Sequence, residues 1–295
     1  MSNIRTDLAV ESRQAYCQQQ GREPEGVDFS EHTVQGFHVS TMRVHTKDAA
    51  RQMDKPVGTY ITMSLDRLIS RQENAFVNAA QCLGSLFGEF PDIPSKGLVL
   101  IAGLGNRAMT PDALGPMAID SVLVTRHLIR QVPEFFGSMR PVTAVATGVL
   151  GTTGMEASEM VRALMERLEP VLVIAIDALA SRSMDRLCRT VQLSDSGIVP
   201  GSGVGNARAA LNRDSLGVPV ISVGVPTVVD AATMALDVCP DGNPDAGVLQ
   251  KAQRLFVTPR DIDASVSACA KLIGYGIDLA MHDGLCVEDV DMLLG

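Results

Sequence analysis

The 295-residue chain has 46% apolar residues and a net charge of −9. It can therefore bury a sizeable core, and its acid excess excludes a non-specific nucleic-acid binder with a basic stripe. Aromatic residues make up only 4% and Trp is absent, so Val, Ile, Leu, Ala and Met must fill the core. No apolar run is long enough to span a membrane and no signal-peptide core is visible. No membrane partner is therefore expected. The six cysteines lack CxxC spacing, which implies reduced thiols in a cytosol-like compartment, and with five dispersed histidines no structural zinc site is expected.

In chain order, residues 1–29 form a polar arm with one apolar island, Leu8-Ala9-Val10, and no core helix is expected there. From Thr33 to His45 apolar and polar residues alternate loosely, as in an exposed strand or hairpin, and Val57 to Met63 reads as a further strand. Helical spacing from Leu65 to Phe87 predicts one long amphipathic helix. Strands are then expected at Leu98–Ala102, Val142–Ala146, Val171–Ile176 and Val218–Val223, the last interrupted by Pro219. Helices are expected over about Pro111–Arg130, Met155–Leu168, Thr227–Leu236 and Thr258–Met281. Strands alternating with helices imply an α/β fold, a mostly parallel sheet with helices on both faces, in one domain preceded by the arm.

The chain is organised around Lys96–Pro116. An apolar strand breaks at Gly103 and Gly105, and Thr110-Pro111-Asp112 then has the chemistry of a helix start. That places Asp112 at the carboxyl edge of a sheet, where open α/β folds keep their sites. An acid in a first helical turn is also what the helix dipole favours, so Asp112 alone is ambiguous. A dinucleotide fingerprint fails, because Ala108 stands where its third glycine would fall. Asp177 follows the most apolar strand of the chain. Its structural alternative is to cap the following segment or to pair with Arg182. Together the two acids are the signal: carboxylates meeting at one sheet edge share a proton and can act as acid and base without a metal. The loop Pro200–Asn206 reads either as a tight turn or as a nest of N–H groups, with Gly201, Ser202 and Gly203 the candidates for holding an extended peptide. Ser202 lacks the spacing of a nucleophile elbow, and His127 and His282 sit in helical patterns as surface or packing residues.

The blocks IRTDLAVE, GLGN–TPDALGP, IAIDALASRS, the segment from Asp195 through GIVPGSGVGN, and VPVISVGVPTVVDA resemble the germination protease family of spore-forming bacteria, over nearly the whole chain from Ile4 to about His282. The resemblance implies an atypical aspartic endopeptidase, related in fold to hydrogenase maturation proteases, that degrades small acid-soluble spore proteins in the cytoplasm of the forespore or spore core. Its catalytic aspartates fall, by motif, on Asp112 and Asp177, with no cofactor and no metal. It further implies a homotetrameric zymogen that trims its own N-terminus. Thr6-Asp7-Leu8-Ala9-Val10-Glu11 has the shape of the family's cleavage sites, which puts the scissile bond between Asp7 and Leu8. Residues 1–7 would then be the propeptide and 8–295 a single peptidase domain. A metal-assisted hydrolase and a non-catalytic spore-protein-binding protein remain as alternatives.

Overall fold

The computed structural model describes residues 6–201, 208–238, 247, 251–252 and 255–295. Among these, nine strands build one sheet in the order β1-β2-β3-β7-β8-β6-β4-β5, with β9 added to β8. The strands are β1 (Val27–Val34), β2 (Phe37–Val44), β3 (Gly58–Ser64), β4 (Val99–Leu104), β5 (Val142–Gly148), β6 (Leu172–Ser181), β7 (Thr190–Ser194), β8 (Val220–Asp230) and β9 (Phe256–Val257). Parallel pairing is confined to β8-β6-β4-β5. The first three strands and β7 extend the sheet antiparallel. The hairpin expected near Thr33–His45 is β1–β2, turned at Gln35-Gly36, both at positive φ (49° and 84°), as a two-residue hairpin turn requires.

Alternation along the strands sends side chains to opposite faces, and helices cover both. On one face Val99, Ile101, Ile174 and Ile176 pack with α3 (Ala75–Leu86), α4 (Leu114–Ala118) and the long α6 (Ile262–Met281). Leu100, Ala102, Val173 and Ala175 of the other face meet Val161 of α5 (Ala157–Leu168). Further along that chain region, Met42, Val44 and Tyr60 are covered by α1 (Ala9–Gln20) and α2 (Lys47–Met53).

Several expected boundaries shift, each for a tertiary reason. The N-terminal arm carries a helix after all: α1 is polar along most of its length, and only its start is buried, at Ala9, Val10 and Glu11. The expected 65–87 helix is broken into Asp66–Ile69 and α3 by Arg71 and Asn74, at φ 52° and 54°. After Asp112 the expected helix is replaced by the short α4, a 3-10 turn at Ile119–Ser121 and a separate short helix at Arg126–Gln131. In between, the N–H of Leu123 is taken by the Asp278 carboxylate and that of Thr125 by the Val142 carbonyl. Thr227 to Asp230, expected as helix, is the end of β8. Its β-branched residues suit a strand, and β6 pairs with it as far as Val229.

Candidate active site

The strand β4 stops before β6 does. Its last pair with β6 is Gly103↔Ile176, while β6 and β8 stay paired to Ser181↔Val229. Asp177, expected at a strand end, is therefore inside β6, at the first position past the departure of β4. It is only 6% exposed.

The chain leaving β4 folds back over this gap. Gly105 makes that possible: at φ 108°, a Cβ there would lie 2.1 Å from the Asp112 carbonyl oxygen. A 3-10 turn, Thr110–Asp112, then sets Asp112 over the sheet edge. The Asn106 N–H donates to Asp112 Oδ2 at 2.8 Å, and Thr227 Oγ1 donates to the Pro111 carbonyl at 2.6 Å, tying the turn to β8. Below it, Gly115 lies so close to the strands that a Cβ would come within 2.3 Å of the Leu104 carbonyl oxygen.

Asp112 and Asp177 line one cleft of about 440 Å³. Burial raises the proton affinity of Asp112, opposed by the Asn106 N–H. Asp177 is held well above the usual carboxylate range, first by burial, then by the charges of Asp112 and Asp7, with only the Ala178 N–H opposing. Gly201 also lines the cleft, whereas Ser202 and Gly203 lie outside the described residues. His127 is exposed and His282 buried, and neither lines this cleft. Among the described residues no group of three or more His, Cys, Asp and Glu side chains is arranged to hold a metal ion.

The cleft also receives the chain's own N-terminal segment, of which Met1 to Arg5 lie outside the described residues. Asp7 lines it, and Leu8 is fully buried against Val10 and Leu179. Lys55 Nζ donates to the Thr6 carbonyl at 2.9 Å. Four residues beyond Asp7, the buried Glu11 carboxylate accepts from the N–H groups of Arg182 (2.6 Å) and Ser183 (3.1 Å) and pairs with Arg186. The Gln192 side chain bonds to the backbone at Asp7 and Ala9. Glu11 lay within the IRTDLAVE block. Gln192 and Lys55 carried no signal in the sequence, since a lone Gln in a short strand and a lone Lys in a loop are usually solvated.

Two acids at the parallel end of an α/β sheet thus line a cleft that Asp7, from the chain's own N-terminal segment, also enters. The chain belongs to the germination protease family, whose model matches residues 4–240, and is a peptidase of spore germination. The germination protease of Clostridium perfringens (strain 13 / Type A) is 39% identical, with 100% of both chains covered. That of Bacillus subtilis (strain 168) is 35% identical over 97% of this chain and 95% of the relative. Among solved structures, the NiFe hydrogenase maturation protease HycI from Thermococcus kodakarensis KOD1 is similar at 17% identity and a TM-score of 0.35, over 62% of this chain and 93% of that one.

Proposed function

We propose that the protein is an aspartic endopeptidase in which Asp112 and Asp177 act together on a water molecule. In this reading it degrades small acid-soluble spore proteins in the spore core, and it is made as a zymogen that cuts its own Asp7–Leu8 bond. The observation that carries the reading is the pair: two carboxyl groups line one cleft, and both bind their protons more tightly than usual. Such a pair holds one proton between its members.

The proton belongs chiefly to Asp177, the more deeply buried of the two. Asp112, ionised and steadied by the Asn106 N–H, takes a proton from water as the hydroxyl adds to the substrate's carbonyl carbon. Asp177 delivers its proton to the amide nitrogen, the C–N bond breaks, and an acid and an amine leave. The pair ends with one proton, as it began.

The Thr6–Leu8 stretch, which runs ahead of α1 and puts Asp7 in the cleft, supports a zymogen whose arm enters the site as a substrate would. A homotetramer is implied by the family resemblance, and exposed Phe135 and Met292 border a common groove open to a second copy. Sedimentation equilibrium of the purified protein tests the assembly.

The central test uses Asp112→Asn and Asp177→Asn, with cleavage of a spore-protein peptide and of the chain's own N-terminus followed by mass spectrometry. Both variants should fold and cleave neither. Near-full activity in either one would end the paired-aspartate reading.

A further inference from the structure

The Gln192 side chain is nearly buried, at 7% exposure, and makes two hydrogen bonds to the N-terminal segment. Its Nε2 donates to the Asp7 carbonyl at 3.2 Å, and its Oε1 accepts from the Ala9 N–H at 2.8 Å. A carbonyl can only accept and a backbone N–H can only donate, so one orientation of the amide satisfies both. The covalent path between those two backbone atoms contains the Asp7–Leu8 bond. A single side chain thus holds that bond from both sides.

The sheet register relates this grip to the acid pair. Gln192 is directly opposite Gly224 on β8, and Gly224 is directly opposite Asp177 on β6. Residues paired across strands point to the same face. Gln192 and Asp177 therefore rise from one row, and the residue between them has no side chain. A Cβ on Gly224 would press to 2.6 Å from Leu179, which packs against the buried Leu8.

We propose that Gln192 grips the scissile peptide bond, first in the chain's own arm and then in protein substrates, holding the carbonyl that water attacks and the second N–H beyond the cut. The inference rests on the proposed cleavage at Asp7–Leu8. Nε2 polarises the carbonyl oxygen while the hydroxyl adds to its carbon. When the C–N bond breaks, the Asp7 carbonyl becomes a carboxylate and Leu8 gains a free amine. Glutamate at this position would keep an acceptor for the N–H but set an oxygen against the carbonyl. Asparagine would be one methylene too short.

A purely structural role is distinguishable. Ala9 opens α1 and its N–H has no partner within the helix, so a structural role would make Gln192 an anchor for the arm and nothing more. Anchoring alone would leave peptide hydrolysis by processed enzyme untouched.

The test compares full-length wild type, Gln192→Glu, Gln192→Asn and Asp177→Asn. Self-cleavage is followed by mass spectrometry. Hydrolysis of a synthetic peptide containing Thr-Glu-Leu-Ala-Ser-Glu is measured per processed chain, with thermal midpoints as the folding control. Both Gln192 variants should stay folded at the assay temperature and lose about a hundredfold or more in self-cleavage and in peptide kcat, the scale of removing one donor to a reacting carbonyl. Peptide kcat/KM within twofold of wild type in both processed Gln192 variants would overturn this inference alone. Cleavage by Asp177→Asn at the wild-type rate would overturn the paired-aspartate reading instead.

Discussion

Asp7 and Ala180 are joined twice: the Asp7 N–H donates to the Ala180 carbonyl at 2.8 Å, and the Ala180 N–H donates to the Asp7 carboxylate at 2.8 Å. The segment before the proposed cut is thereby attached to the end of β6, and its negative charge adds to that of Asp112 in raising Asp177. Asp7→Asn keeps an oxygen for the Ala180 N–H and removes the charge. Removing a negative neighbour makes Asp177 easier to deprotonate. Wild-type self-cleavage should accelerate as pH falls through the range where the pair takes up its proton. In Asp7→Asn that rise should move to lower pH. Rates measured across a pH series check this, and an unmoved profile would show that Asp7 does not act on the pair.

Glu11 fixes the arm on the other side of the cut. Its carboxylate is 3% exposed and occupies the N–H groups of Arg182 and Ser183. Glu11→Ala leaves two N–H donors without that partner, which costs on the order of 2–4 kcal/mol. Much of that should appear as release of the arm. Hydrogen exchange should rise at Leu8–Val10 and at Arg182–Ser183, with little change in α6. Unchanged exchange at Leu8–Val10 would mean that the apolar packing of Leu8 holds the arm unaided.

How much of this was legible follows from how local each signal is. Asp112 could be read because strand, glycines, Thr, Pro and acid are contiguous and each has its own backbone preference. Asp177 could be read as an acid after an apolar run, but its place inside β6 depends on β8 continuing beside it, a pairing between distant segments. Thr227–Asp230 is strand and not the expected helix for the same reason: β-branched residues take strand conformation when a neighbouring strand is there to pair. Within α1 only Ala9, Val10 and Glu11 are buried, with Tyr16 partly buried against the same cluster, too few apolar positions to leave a clear helical stripe. Gln192 could not be found, since its role exists only once the arm has folded across the sheet.

Asp278 gives the fold its own pH dependence. It is 1% exposed on α6, both its oxygens accept from the Leu123 N–H (2.9 and 3.1 Å), and burial pushes its pKa up to about 8. The unfolded value is about 3.9. Between these the folded protein holds a proton that the unfolded chain releases, so Asp278 costs stability progressively as pH rises, and the cost levels off above the folded pKa. Asp278→Asn stays neutral and keeps an acceptor for Leu123. The variant should match wild type near pH 4 and melt higher than wild type above about pH 8. Urea midpoints for the two proteins at both pH values check the difference, and a gap that does not grow with pH would show that the group is ionised in the fold throughout.

Gly105 links the backbone to the site. Its φ of 108° is one that side chains rarely adopt, and a Cβ would stand 2.1 Å from the Asp112 carbonyl oxygen and 3.0 Å from Asp112 Oδ1. Gly105→Ala must therefore move either the end of β4 or the Thr110–Asp112 turn. β4 is held by strands on both sides as far as Gly103, through Gly103↔Ala146 and Gly103↔Ile176, and Leu104 still pairs with Gly148. The turn is held by side-chain bonds from Thr227 to the Pro111 carbonyl and from Thr110 to Asp263, so the turn should yield and take Asp112 with it. A shift of about 1 Å in a reacting group can cost on the order of a hundredfold in rate, while local strain of this kind costs about 1–3 kcal/mol of stability. Gly105→Ala should therefore fold and lose most of its peptidase activity. Gly88→Ala, where a Cβ meets nothing within 4 Å, should retain it. Wild-type kcat/KM in Gly105→Ala, measured beside that control, would mean that the position of Asp112 does not limit the reaction.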